Sequence, residues 1–229
     1  MSKSPKKRRD PLSIILLVII CISLVYLVKS LYDYKSDNDY YSNVRESAQT
    51  NSKIDFDSLE KENSDIVGWI TIKGTRIDYP IVQTNDNDKY LHTLFNNEPG
   101  GAGCIFADYR REPFKTPFTI IYGHRMKDGS MFNNLKKYKD QSFAEKHQDI
   151  KIYTPEKDYK FNIVLFAILK ASDDVYQENF TNAIDAYKML KGQALYQYDD
   201  VGENDRLVML STCTYEFNNA RYVLIGKLQ

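Results

Sequence analysis

The chain has 229 residues, 42% of them hydrophobic and 27% charged, which suits one globular domain with an appendage and leaves too little chain for two full domains. Its 31 basic and 31 acidic residues balance, yet residues 1–11 hold Lys3, Lys6, Lys7, Arg8 and Arg9 against Asp10 alone, so the remainder carries 26 bases and 30 acids. A mildly acidic remainder argues against nucleic acid as a main partner.

After this basic N-terminus, Leu12 to Val28 contains no charged residue. At about 1.5 Å per residue the run spans roughly 25 Å as a helix, slightly less than a hydrocarbon core. Lys29 can snorkel and Leu31-Tyr32 can extend the run, giving a transmembrane anchor over residues 12–32. No small-x-small cleavage site follows, so an uncleaved anchor is preferred to a signal peptide. The preceding bases put the N-terminus in the cytoplasm and everything after Lys29 outside. Residues 33–54 are rich in Asp, Ser, Asn, Lys and Tyr and lack Pro and Gly, which reads as a partly helical extracellular stalk, solvated beyond Tyr34.

A domain over 55–229 opens with a short helix, for which Asp57 is the expected cap and Glu60 stands three residues later. Strand signals follow at Gly68–Ile72, Arg76–Val82, Gly103–Asp108, Phe118–Tyr122, Ile150–Tyr153, Tyr159–Lys170, Leu207–Thr212 and Arg221–Leu228. The first two flank Lys73-Gly74-Thr75, a hairpin-like connection. Eight such runs with turn signals between them favour a closed or nearly closed β-barrel. Ile184, Tyr187, Leu190, Ala194 and Tyr198 step by three and four, the stripe of a helix ahead of the cysteine strand.

Chemistry concentrates at three points. Cys213 ends the apolar run Leu207-Val-Met-Leu-Ser-Thr-Cys213, and alternation puts Met209, Ser211 and Cys213 on one face. Arg221 follows after seven residues; if these loop between antiparallel neighbours, the two residues stand on adjacent strands about 4.8 Å apart. His124 ends a second apolar strand after Gly123, and Tyr122 shares its face. Thiol, imidazole and guanidinium supply a nucleophile, a proton carrier and a charged donor for an oxyanion. A Cys104–Cys213 disulfide is the bland alternative, but Cys104 reads as a small buried strand residue and Cys21 as filler of the apolar helix. His147 reads as solvated and His92 as a pocket neighbour. The scattered histidines imply no metal, and no dinucleotide or phosphate-loop motif implies a cofactor.

The strings Thr119-Ile-Ile-Tyr-Gly-His124-Arg-Met-Lys-Asp-Gly-Ser-Met-Phe132, Leu210-Ser-Thr-Cys213 and Arg221-Tyr-Val-Leu-Ile-Gly-Lys-Leu228 closely resemble a class B sortase, from about Asp55 to Gln229. The resemblance implies an α+β, mostly β, eight-stranded sortase barrel with peripheral helices, including a long helix before the cysteine strand. It implies that Cys213 attacks a threonine carbonyl in the C-terminal sorting signal of a surface protein, with His124 moving protons and Arg221 holding the oxyanion. A lipid-linked peptidoglycan precursor amine would resolve the thioester at the cell membrane. Ser211 and Thr212 are implied at the oxyanion site or cleft, and Asn87, Leu91 and Tyr122 at the substrate-binding wall. A pilin-polymerising sortase and a catalytically silent wall-binding module are the alternatives; the intact Cys, His and Arg argue against the second.

Overall fold

The computed structural model describes residues 11–50 and 53–229. The bases of the N-terminal cluster lie outside the described residues. α1 (Pro11–Ala48) leads into a two-residue antiparallel pair, β1 (Gln49–Thr50) with β2 (Lys53–Ile54), and then α2 (Phe56–Glu62). The barrel strands are β3 (Ile66–Ile72), β4 (Asp78–Val82), β5 (Ile105–Ala107), β6 (Phe118–Tyr122), β7 (Ile150–Tyr153), β8 (Asp158–Lys170), β10 (Leu207–Cys213) and β11 (Ala220–Leu228). α3 (Gln141–Lys146) precedes β7, while α4 (Ala183–Lys191) and the short strand β9 (Ala194–Gln197) lie between β8 and β10.

Strands pair in the order β11-β10-β6-β5-β4-β3-β7-β8, and β8 pairs back onto β11, which closes an eight-stranded barrel with β9 attached outside the ring to β8. The expected closed barrel is therefore present, and each of the eight strand runs read in the sequence coincides with one of its staves. Closure removes the exposed edges that an open sheet would present. Two cores follow from the alternation along the strands. Val208 and Leu210 of β10 point into the barrel with Ile121, Leu224 and Trp69, while Leu207 and Met209 point outward beneath α4 with Ile120, Val223, Ala186 and Leu190. Burial on both faces explains why β10 reads as a continuous apolar run.

Four local expectations change. Asp55 rather than Asp57 caps α2, accepting from Ser58 N at 3.0 Å, and Asp57 lies in the first turn. The apolar stripe on α4 stops with the helix at Lys191; Ala194 starts β9, which the stripe pattern concealed, and Tyr198 lies beyond it. The reading of solvated chain beyond Tyr34 also yields: α1 runs unbroken to Ala48, and Asp37, Tyr41, Val44 and Ala48 are buried against the barrel. His147 is held by the Phe143 carbonyl at 2.8 Å and stacks on its ring. The N-terminal half of α1 is wholly exposed, with a mean hydropathy of 2.9 over its most apolar window, and is a candidate membrane span.

Candidate active site

Cys213 is the last residue of β10, where the cover of the outer core ends and the strand emerges into solvent. Leu207 to Thr212 are buried and Cys213 is exposed. In the antiparallel register Cys213 stands directly opposite Arg221 on β11, so the two side chains leave the sheet on the same face with Cβ atoms about 5 Å apart. The seven-residue connection is short because Thr214 N donates back to the Ala220 carbonyl at 3.0 Å.

His124 reaches the same place from the other side. β6 runs parallel to β10 with Tyr122 beside Ser211, and Gly123 N donates to the Ser211 carbonyl at 3.2 Å. The Thr212 hydroxyl donates to the Gly123 carbonyl at 2.7 Å. Gly123 is required by packing: a Cβ there would lie 2.4 Å from Ile105 Cδ1 and 2.7 Å from the Phe132 ring. His124 Nε2 lies 2.7 Å from the Leu91 carbonyl, which only accepts, so Nε2 carries the proton and Nδ1 is left unprotonated in the neutral ring. The His92 ring stacks on His124 with centroids 6.1 Å apart.

These side chains share one cavity of about 340 Å³, lined by Cys213, His124 and Arg221 together with Asn87, Leu91, Tyr122, Ser211 and Thr212. All eight residues singled out in the sequence therefore meet. Ser211 and Thr212 are 1% and 2% exposed, and their hydroxyls are engaged with the Tyr176 hydroxyl at 3.0 Å and the Gly123 carbonyl. Both residues therefore stand in the cavity wall with their hydroxyls tied to neighbouring groups. Leu91 contributes its carbonyl to His124 as well as its side chain to the cavity.

Asp108 is the organising residue that sequence reading missed. Its side chain is fully buried. Its carboxylate accepts from the Tyr122 hydroxyl at 2.9 Å, Asn87 Nδ2 at 3.2 Å, and Arg110 Nε and Nη2 at 2.8 and 2.6 Å. Burial opposes ionisation of Asp108, but these donors, Arg110 foremost, overcome it and hold the carboxyl below its ordinary value. Arg110 also donates to the Gln177 side chain and the Tyr176 carbonyl, tying the segment after β8 to the cavity wall. Arg111, whose Nε and Nη1 have no hydrogen-bond partner among the described residues, lies 3.5 Å from Asp108, and burial lowers its pKa. Tyr176 is pushed up to about 12 by burial and stacks on Tyr122. An acid at a strand end followed by two arginines was the available signal for Asp108; nothing in the polar segment around Tyr176 announced its part.

Cys104 and Cys213 are both free thiols. Cys104 is buried at the start of β5, within 3.3 Å of both the Tyr41 hydroxyl and the Thr93 carbonyl, and burial pushes it up to about 12.

An eight-stranded barrel with thiol, imidazole and guanidinium gathered at strand ends around one cavity defines a sortase-type fold. The sortase domain model matches residues 70–229. The chain is 42% identical to sortase B of Listeria monocytogenes over 74% of its own length and 72% of the relative's. It is also similar to a Staphylococcus aureus sortase B–substrate complex, with 31% identity, a TM-score of 0.76 and coverage of 86% of this chain and 98% of that one. A sortase B complexed with triglycine is 32% identical, with a TM-score of 0.73 and coverage of 85% and 98%. The chain belongs to the sortase family, in its class B, and is a cysteine transpeptidase.

Proposed function

We propose that this enzyme cuts a C-terminal sorting signal after its threonine and transfers the shortened protein to a peptidoglycan amine, through a thioester on Cys213. The observation that carries the reading is the register of β10 and β11, which sets Cys213 against Arg221 while the Gly123 contacts bring His124 to the same cavity.

The Cys213 thiolate adds to the threonine carbonyl carbon, and the oxygen takes the electron pair as an oxyanion beside the Arg221 guanidinium. As the tetrahedral centre collapses, the carbon–nitrogen bond breaks and His124 protonates the departing amine. The acceptor amine then attacks the thioester, loses a proton to His124, and displaces the thiolate. With Nε2 committed to the Leu91 carbonyl, Nδ1 is the nitrogen that exchanges this proton. The relatives described with a substrate and with triglycine support a peptide donor and an amine acceptor. The catalytic unit is residues 55–229. The exposed apolar helix supports an anchor over 12–32, with the N-terminus cytoplasmic and the domain outside.

The test is transfer of reporter peptides bearing Asn-Pro-x-Thr or Leu-Pro-x-Thr-Gly signals to a triglycine amine. Cleavage with transfer by the wild type, abolished in Cys213→Ala and His124→Ala, is expected. Cleavage retained by Cys213→Ala would overturn the proposal.

A further inference from the structure

The apolar run ends at Val28, but the helix carrying it continues to Ala48. From Asp37 onward that helix is fastened to the barrel. Ala102 N donates to Asp37 Oδ2 at 2.9 Å, the Tyr41 hydroxyl donates to the Gly103 carbonyl, and Arg76 Nη2 donates to Asn38 Oδ1 at 3.2 Å. Between Val28 and Asp37 lie only about 13 Å of helix. That stretch holds no proline or glycine to serve as a kink. A connection so short and continuous passes the tilt of the apolar segment directly to the barrel.

The barrel also reaches back alongside this helix. A groove of about 620 Å³ is lined by Lys29, Ser30, Asp33, Tyr34, Ser36 and Asp37 on one side and by His92 and the Pro99–Gly101 loop on the other. Lys29 to Asp33 occupy the first roughly 7 Å of helix beyond the apolar run. A bilayer's interfacial layer adds roughly 5 to 7 Å per leaflet outside its hydrocarbon. The helix wall opposite the loop runs from Lys29 to Asp37, so the end of the groove nearest the apolar run is level with that layer and the loop stands at its outer margin. Asn96 to Pro99 and Gly101 are exposed. His92 lines the same groove and stacks on His124.

The geometry points to the loop of residues 96–101 as a membrane-contact surface, against which lipid headgroups bear while α1 holds the His92 side of the catalytic cavity toward the bilayer. This rests on the reading of Leu12–Val28 as a membrane span. The charged side chains around the groove are Lys29 against Asp33 and Asp37, with Glu98 on the loop. Attraction to anionic lipid does not create the contact; the rigid helix does, so it persists on zwitterionic membranes. An acceptor amine carried at headgroup level would then meet His124 without leaving the leaflet.

The experiment uses the full chain with Cys21 and Cys213 replaced by Ala, leaving buried Cys104 unlabelled, and a fluorophore attached at Glu98→Cys. The protein is reconstituted into phosphatidylcholine vesicles, with or without phosphatidylserine, containing headgroup spin-label quencher. The control carries the fluorophore at exposed Glu46→Cys, about 27 Å beyond Val28 along the same helix. Quenching at least about twofold stronger at position 98 than at 46, in both lipids, is expected from these heights. Equal quenching in protein that floats with the vesicles would overturn the surface alone. Failure to float would overturn the span reading and the surface with it. A flexible Gly-Ser insertion after Tyr34 should preserve flotation and abolish the difference; an unchanged difference would overturn the role of the helix.

Discussion

Replacing Asp108 with Asn removes the one negative charge lying between the guanidiniums of Arg110 and Arg111 while keeping the side chain's size. Both carboxylate oxygens accept hydrogen bonds, Oδ1 from Arg110 N and Nε, and Oδ2 from Tyr122, Asn87 and Arg110 Nη2. Whichever oxygen becomes an NH2 group sets a donor against donors. Breaking a buried ion pair costs about 3 to 5 kcal/mol. The Arg110 side chain retains 23% exposure, which places the expected loss near the lower end, about 3 kcal/mol. Because the folded-state carboxyl is held below its ordinary value, its contribution is complete above the unfolded pKa, near 3.9, and is lost as pH falls through the folded one. Urea unfolding of wild type and Asp108→Asn across a pH series should therefore show the largest gap at neutral pH and a shrinking gap in acid below about pH 4. Loss of the tie to Tyr122 and Arg110 should also raise KM for a sorting-signal peptide, while alkylation of Cys213 proceeds at nearly the wild-type rate. A stability gap under about 0.5 kcal/mol, or one independent of pH, would refute the role assigned to Asp108.

Arg221→Lys keeps the charge and loses the planar fork of donors, so acylation of Cys213 should fall on the order of a hundredfold in single-turnover assays with little change in stability. Gly123→Ala should destabilise by about 1 to 3 kcal/mol in urea unfolding and slow acylation, since the added methyl displaces Ile105 or Phe132 and with them His124. Thr212→Val should cost about 1 kcal/mol by the same measurement, because the half-buried Gly123 carbonyl loses the hydroxyl it accepts from.

The barrel was legible because its strands announce themselves: β10 as a continuous apolar run between two cores, β3 and β4 through the Gly74 connection. The candidate trio was legible because a thiol, an imidazole and a guanidinium each stand at or next to the end of such a strand. β9 escaped because Ala194 and Tyr198 continue the spacing of α4 by coincidence, and Gly192 is the point at which the helix stops. The docking of α1 escaped because its buried face consists of Asp37, Tyr41, Val44 and Ala48 within a polar segment, held by hydrogen bonds to residues about 60 positions away. Asp108 was hidden for a related reason: apart from the adjacent arginines, its partners Asn87 and Tyr122 are assembled by the fold rather than by spacing.

The most direct measurement is intact mass of the enzyme after brief mixing with a sorting-signal peptide in the absence of acceptor amine, followed by mapping of the modified residue. An added mass equal to the peptide up to its threonine is expected, carried on Cys213, released by hydroxylamine and discharged by triglycine. Cleaved peptide with no adduct on Cys213, or an adduct on another residue, would contradict it.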